Sequence, residues 1–210
     1  MVTLNLDSMV GAKLSRDGKD FYRERIGERP YVNEKGLTSM RLWDFALIFG
    51  KLSKRKLMSF IEDFELTISA KDLMVETNPP TLQTIAKLRQ NNSAGRDYEA
   101  KLNLNAVVSA KLSRDGKDFY QIRSKTGERP YVDKQGLTPI KLYNFAWMFG
   151  KLAKGHLEGL VENFELVVDI NNLQVQMDKP TLEMRQGMTY DNEPDWDMYK
   201  QEPDAKGPIR

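Results

Sequence analysis

Cysteine is absent from these 210 residues, and histidine occurs once, at His156. Without thiols the chain has no disulfide framework and no thiolate metal site. A metal would need an all-oxygen cage, and no calcium-loop spacing is present. No uninterrupted apolar run reaches the roughly 18 residues that mark a membrane span, and no segment has the blocks of a secretory leader. The expectation is a chain acting in the cytoplasm, or in the host cytoplasm if viral, with no membrane partner. Catalytic signatures are equally scarce. There is no nucleophile elbow, phosphate-binding loop or dinucleotide fingerprint. His156 stands where the matching position earlier in the chain is Lys56, and reads as an exposed neutral side chain. Glu62 with Glu65, and Glu162 with Glu165, sit at helix-to-strand junctions, where solvated acids are common. The sequence therefore argues against an enzyme and implies no cofactor.

What the chain does have is a repeat. Ala12-Lys13-Leu14-Ser15-Arg16-Asp17-Gly18-Lys19-Asp20-Phe21-Tyr22 returns letter for letter from Ala110 to Tyr120. Around it, residues 4–82 align with 102–182, with roughly half or more of the positions identical, which reads as a tandem duplication. A unit of some 80 residues buries only a modest core, so the copies are expected to pack together as an intramolecular pseudo-dimer. The expected divisions are a first repeat at 1–82, a linker at 83–101, a second repeat at 102–182 and an acidic tail at 183–210. From Glu183 onward seven acidic residues face four basic ones. Since the whole chain carries +2, its body is left at about +5, a hint of an anionic partner.

Within each unit the pattern predicts an α+β module, a β-hairpin, then helix, then β-hairpin. Val2, Leu4 and Leu6, then Val10, Ala12 and Leu14, alternate as in a half-buried strand. Asp17-Gly18 predicts a hairpin turn, with Phe21, Arg23 and Arg25 on the returning strand. Tyr31-Val32 reads as a short strand or edge. Thr38, and Thr138 followed by Pro139, read as helix caps. Leu42, Phe45, Phe49 and Leu52 mark one helical face, as do Leu142, Phe145, Phe149 and Leu152. Trp43 and Leu47, with Tyr143 and Trp147, fall on another face, so the helix is expected to lie between its own sheet and the other copy. Residues 65–70 and 73–76, like 165–170 and 173–177, read as strands about a turn. The tail lacks apolar periodicity and is expected to be disordered.

Both copies keep one polar set, which suits a two-fold binding surface. In the first copy Lys13, Arg16, Lys19, Arg23, Arg25 and Arg29 are interleaved with Tyr22 and Tyr31. In the second, Lys111, Arg114, Lys117, Arg123, Lys125 and Arg129 accompany Tyr120 and Tyr131. Cations that follow phosphates and rings on which bases stack are what sequence-tolerant binding of single-stranded DNA or RNA requires. The competing reading is a protein-interaction module, such as a virion structural component or an inhibitor of a host protein. Since neighbouring residues of a strand face opposite ways, one ring of each Phe-Tyr pair is expected in the core.

Lys35-Gly36-Leu37-Thr38 with the helix at 42–52, and Gln135-Gly136-Leu137-Thr138 with that at 142–152, follow the basic strands. In this they resemble the Whirly and Pur-alpha class of single-stranded nucleic-acid binders. The resemblance implies a sheet-then-helix unit paired with a second copy; the expected binder is an accessory to replication or recombination in a virus or bacterium. The tail also resembles the acidic, aromatic endings of several single-strand-binding proteins. On that likeness, Asp191, Trp196 and Tyr199 are where a protein partner would dock.

Overall fold

Strands and helices follow one order, given twice. The computed structural model describes residues 1–75, 98–124 and 126–177, all within one compact unit, Met1–Asp178. The first half runs β1 (Val2–Asn5), β2 (Met9–Leu14), α1 (Arg16–Ile26), β3 (Thr38–Arg41), α2 (Leu42–Phe49), α3 (Lys54–Phe60), β4 (Ile61–Ser69) and β5 (Leu73–Val75). The second runs β6 (Tyr98–Asn103), β7 (Val107–Leu112), α4 (Arg114–Arg123), β8 (Thr138–Lys141), α5 (Leu142–Phe149), α6 (Lys154–Leu160), β9 (Val161–Val168) and β10 (Leu173–Met177). The architecture is mixed α and β, with two antiparallel sheets and, among the described residues, six α-helices. Most of the expected linker lies outside those residues, as do Lys125 and the whole expected tail, including Asp191, Trp196 and Tyr199.

The sheets are built by exchange. One has the order β5-β1-β9-β7-β8 and the other β10-β6-β4-β2-β3. Each therefore holds three strands of one half and two of the other. Leu4 faces Leu166 across β1 and β9, and Leu66 faces Leu102 across β4 and β6. This corrects the expected hairpin–helix–hairpin unit. The first hairpin has no returning strand, because residues 16–26 are helical, and β4 and β5 enter different sheets. A short 3-10 turn, Ala70–Asp72, carries the chain across instead of folding it back. The exchange pairs strand edges that a half by itself would leave open. At the corner after β1 the Asn5 side chain accepts from the Asp7 N–H at 2.8 Å, and Asn103 does the same for Asn105 at 2.9 Å. The next amides reach across: Leu6 N–H donates to the Phe164 carbonyl and Leu104 N–H to that of Phe64, both at 2.9 Å.

Those carbonyls belong to a strained bend. Asp63 and Phe64 have φ of 59° and 54°, and Asn163 and Phe164 have 59° and 56°. A left-handed residue with a bulky side chain costs on the order of 1–3 kcal/mol. The cross-half hydrogen bonds and the burial of both phenyl rings offset that cost. The register of β2 on β4 shifts at the bend, between Ala12 and Leu14, as a bulge requires.

The Asp17-Gly18 pair is the first turn of α1, not a hairpin. Ser15 caps the helix: its hydroxyl accepts from Gly18 N–H at 3.1 Å and donates to the Ser59 carbonyl at 2.9 Å. A Cβ at position 18 would overlap the Phe60 carbonyl oxygen. The glycine is thus there for close helix approach, not for positive φ. Ser113 and Gly116 repeat the arrangement against Gly159 and Leu160.

The expected caps Thr38 and Thr138 also move. Both lie in strands, buried, and neither hydroxyl has a partner among the described residues. Thr38 and Met40 point inward and Ser39 and Arg41 outward, a two-residue period. Pro139 sits on the edge strand β8, where a missing N–H leaves no gap in the ladder. The helices begin four residues later, at Leu42 and Leu142. With no side-chain cap, the Leu42 and Trp43 amides donate to the Ser8 and Leu6 carbonyls at 3.0 and 2.9 Å.

One buried cluster joins the inner sides of both sheets to α2 and α5. Phe45, Phe49, Phe145 and Phe149 are fully enclosed, as their spacing predicts. Burial of each is worth about 1.5–3 kcal/mol. α2 and α5 pack on each other, and at their C-terminal ends Gly50 lies against the Ala146 carbonyl and Gly150 against that of Ala46. The helix expected between its own sheet and the other half has that position.

Candidate functional site

Each half carries a cationic groove beside its long helix. On α1, Arg16, Lys19 and Arg23 recur at the three- and four-residue spacing that places side chains on one helical face. The chain then leaves α1 and brings Arg29 and Pro30 back over that face. The result is a groove of about 350 Å³, with Leu14 and Glu62 also in its wall. In the second half Arg114, Lys117, Asp118, Arg129, Pro130 and Val132 line a groove of about 350 Å³. Close packing of Gly18 on the end of α3 and of Gly116 on the end of α6 holds the two long helices in place.

The charges in these grooves are not all free. Arg23 is bonded to Asp20 at 3.3 Å. Arg16, Lys19 and Arg29 have no ion pair with any described residue. In the second groove Arg129 is held twice, by Asp118 at 3.7 Å and by the Gln121 amide oxygen at 3.3 Å. Lys13 and Lys111 lie off the grooves and are paired with Glu62 at 2.8 Å and Glu162 at 3.0 Å. The Glu62 hydrogen bond raises the Lys13 pKa, and its charge adds to the effect. Arg25 and Arg123 point elsewhere, over the rings of Phe21 at 5.2 Å and Phe119 at 5.5 Å.

The tyrosines divide into two kinds. Tyr31 and Tyr131 are 80% and 72% exposed, next to the groove prolines Pro30 and Pro130. Tyr22 and Tyr120 are half-buried against the core. Burial raises the Tyr22 pKa, and the charges of Asp44 and Glu28 raise it further. Phe21 packs between Phe49 and Phe60, with ring centroids 5.8 and 5.2 Å away. Since the segment is helical, Phe21 and Tyr22 both turn toward the core instead of to opposite faces.

Two features fall outside the sequence-derived set. The first is a hollow of about 700 Å³ that adjoins the first groove, sharing Asp20 and Arg23 with it, and is lined besides by Phe21, Phe60, Asp17, Glu24 and Lys56. The second is an ion cluster joining the halves. Lys154 donates to Asp7 at 2.6 Å and lies 3.7 Å from Glu158, while Arg41 lies 3.6 Å from Asp7. Asp44 sits close by. Burial raises its pKa, and Arg41 and Lys154 only partly oppose that. Comparing the halves position by position would have signalled this cluster, because Asp7 and Asp44 correspond to Asn105 and Asn144.

His156 is exposed on α6, as its sequence context implies. Among the described residues there is no group of three or more His, Asp or Glu side chains able to hold a metal ion. Among the same residues no helix is long and apolar enough to cross a membrane. Comparison with known proteins finds no matching family model, no matching curated protein and no matching solved structure.

Proposed function

We propose that the chain is a tandem duplication closed as an intramolecular pseudo-dimer, and that it binds single-stranded DNA or RNA without catalysing a reaction. The observation that carries the binding reading is the recurrence of one arrangement: a cationic groove on the long helix, with an exposed tyrosine next in sequence to the groove's proline. The cations meet phosphates, and each contact displaces counterions from the strand. Tyr31 and Tyr131 offer free ring faces, and stacking is worth about 1–3 kcal/mol per base. Phosphate contacts and ring stacking carry no base-edge readout, so the binding expected is tolerant of sequence. An accessory role in replication or recombination fits such a binder.

The test is titration of a fluorescent oligonucleotide into the full chain at several salt concentrations. Micromolar or tighter binding that weakens steeply with salt is the expected result; no binding at low salt defeats the reading. In that case the hollow floored by Phe21 and Phe60 favours a protein-interaction module instead.

The pseudo-dimer has its own test. A fragment of residues 1–90 contains β1 and β4 but lacks β9 and β6, their partners in the exchange. Light scattering should show it dimeric, two copies restoring the exchange. A monomer that unfolds with full cooperativity would contradict the shared core.

A further inference from the structure

The two grooves are built alike, but their charges are paired differently. We propose that the first-half groove is the anchoring phosphate site and the second-half groove the weaker one. This rests on the nucleic-acid reading and assigns the two sites unequal roles within it.

Three residues carry the difference. Arg23 in the first half is replaced by Gln121 in the second. That amide accepts from Arg129 at 3.3 Å, so the position both loses a cation and engages another. The acids also pair differently: Glu62, in the wall of the first groove only, is held by Lys13. Asp20 takes Arg23, within its own helix, and leaves Arg29 open. Asp118 takes Arg129, the counterpart of Arg29, at 3.7 Å. Arg16, Lys19 and Arg29 are thus open to an incoming phosphodiester in one groove. In the other only Arg114 and Lys117 are, and Arg129 meets a phosphate with its charge already shared between Asp118 and Gln121. An arginine already bonded gains less from a phosphate, because the old contacts are lost as the new one forms.

The consequence is an ordered encounter. A short strand settles in the first groove with one copy per chain, and a longer strand engages the second groove after the first. Exposed Tyr31 stands beside the anchoring groove to take a base.

The experiment compares Arg29→Ala with Arg129→Ala in the full chain, titrating a short oligothymidylate across salt concentrations. Arg29→Ala should weaken binding about tenfold at low salt and flatten the log–log salt dependence by about 0.7, one single-strand phosphate contact. Arg129→Ala should change affinity less than about threefold. Two further variants move the asymmetry itself. Arg23→Gln gives the first groove the second's residue and should weaken binding; Asp118→Asn frees Arg129 and should strengthen it. Both are exposed or half-exposed replacements that leave the core intact. Equal losses from Arg29→Ala and Arg129→Ala, with the unmodified chain still binding, would overturn the unequal roles while leaving the nucleic-acid reading in place. No binding by the unmodified chain would overturn both.

Discussion

Asp7 and Asp44 of the first half lie beside Lys154 of the second, whereas the matching positions hold Asn105 and Asn144 of the second half and Lys54 of the first. Lys154 forms an ion pair that crosses between the halves; Lys54 instead lies 5.2 Å over the Tyr143 ring. The buried positions behave differently. Phe45 matches Phe145, Phe49 matches Phe149, and Gly50 matches Gly150, each in the same surroundings. The enclosed residues therefore match between the halves, and several charged ones do not. Polar substitutions on a surface change stability little, so charge is where two like halves can acquire different work.

The largest effect comes from breaking what the halves share. Gly50→Val and Gly150→Val each push a side chain into a carbonyl of the opposing helix. Each should lower stability by roughly 3 kcal/mol or more, read from urea unfolding. The two losses should be similar; a large loss from one and none from the other would mean that the helix crossing is not shared equally.

Removing the cross-half pair sharpens the other side of the comparison. Lys154→Ala should cost up to about 1 kcal/mol, the range of a partly exposed ion pair. Lys54→Ala loses only a cation–ring contact, worth about 0.5 kcal/mol at an exposed site. A double-mutant cycle of Lys154→Ala with Asp7→Asn should show coupling, whereas Lys54→Ala with Asn105→Ala should show none.

The smallest effect is a pH dependence confined to one half. Because burial raises the Asp44 pKa, the folded chain holds its proton to a higher pH than the unfolded chain. Stability then falls as pH rises from the ordinary carboxylate range through the folded value. Asp44→Asn, which installs the residue of the second half, should raise the thermal midpoint at neutral pH. The gain should shrink as pH drops below about 4. A gain of equal size at every pH would place its origin elsewhere than in the carboxylate.

The enclosed phenylalanines and the strands after the helices were legible because each rests on local spacing. The exchange of β1 and β6 was not, since strand partners distant in sequence leave no trace in periodicity. Asp17-Gly18 misled for a different reason. Glycine serves turns through positive φ, but Gly18 serves a close approach whose other side, the Phe60 carbonyl, lies far along the chain. Taking Ser15 as a cap three residues ahead of Gly18 would have indicated the helix. Because residues 16–26 are helix and not strand, a different set of cations converges. Arg16, Lys19 and Arg23 meet with Arg29, whereas Lys13 and Arg25, expected with them, turn to Glu62 and Phe21. Asp7 and Asp44 were passed over because neither belongs to the part of the repeat that is unchanged between halves.

The central claim is that the paired grooves hold a nucleic-acid strand by its phosphates. It is tested most directly by the salt dependence of oligonucleotide affinity in the full chain and in the Arg16→Glu/Arg114→Glu double variant. The account expects a steep slope for the unmodified chain, and a weaker affinity with a slope shallower by about 1.4, two single-strand contacts, for the variant. Identical affinities and slopes for the two proteins would contradict it.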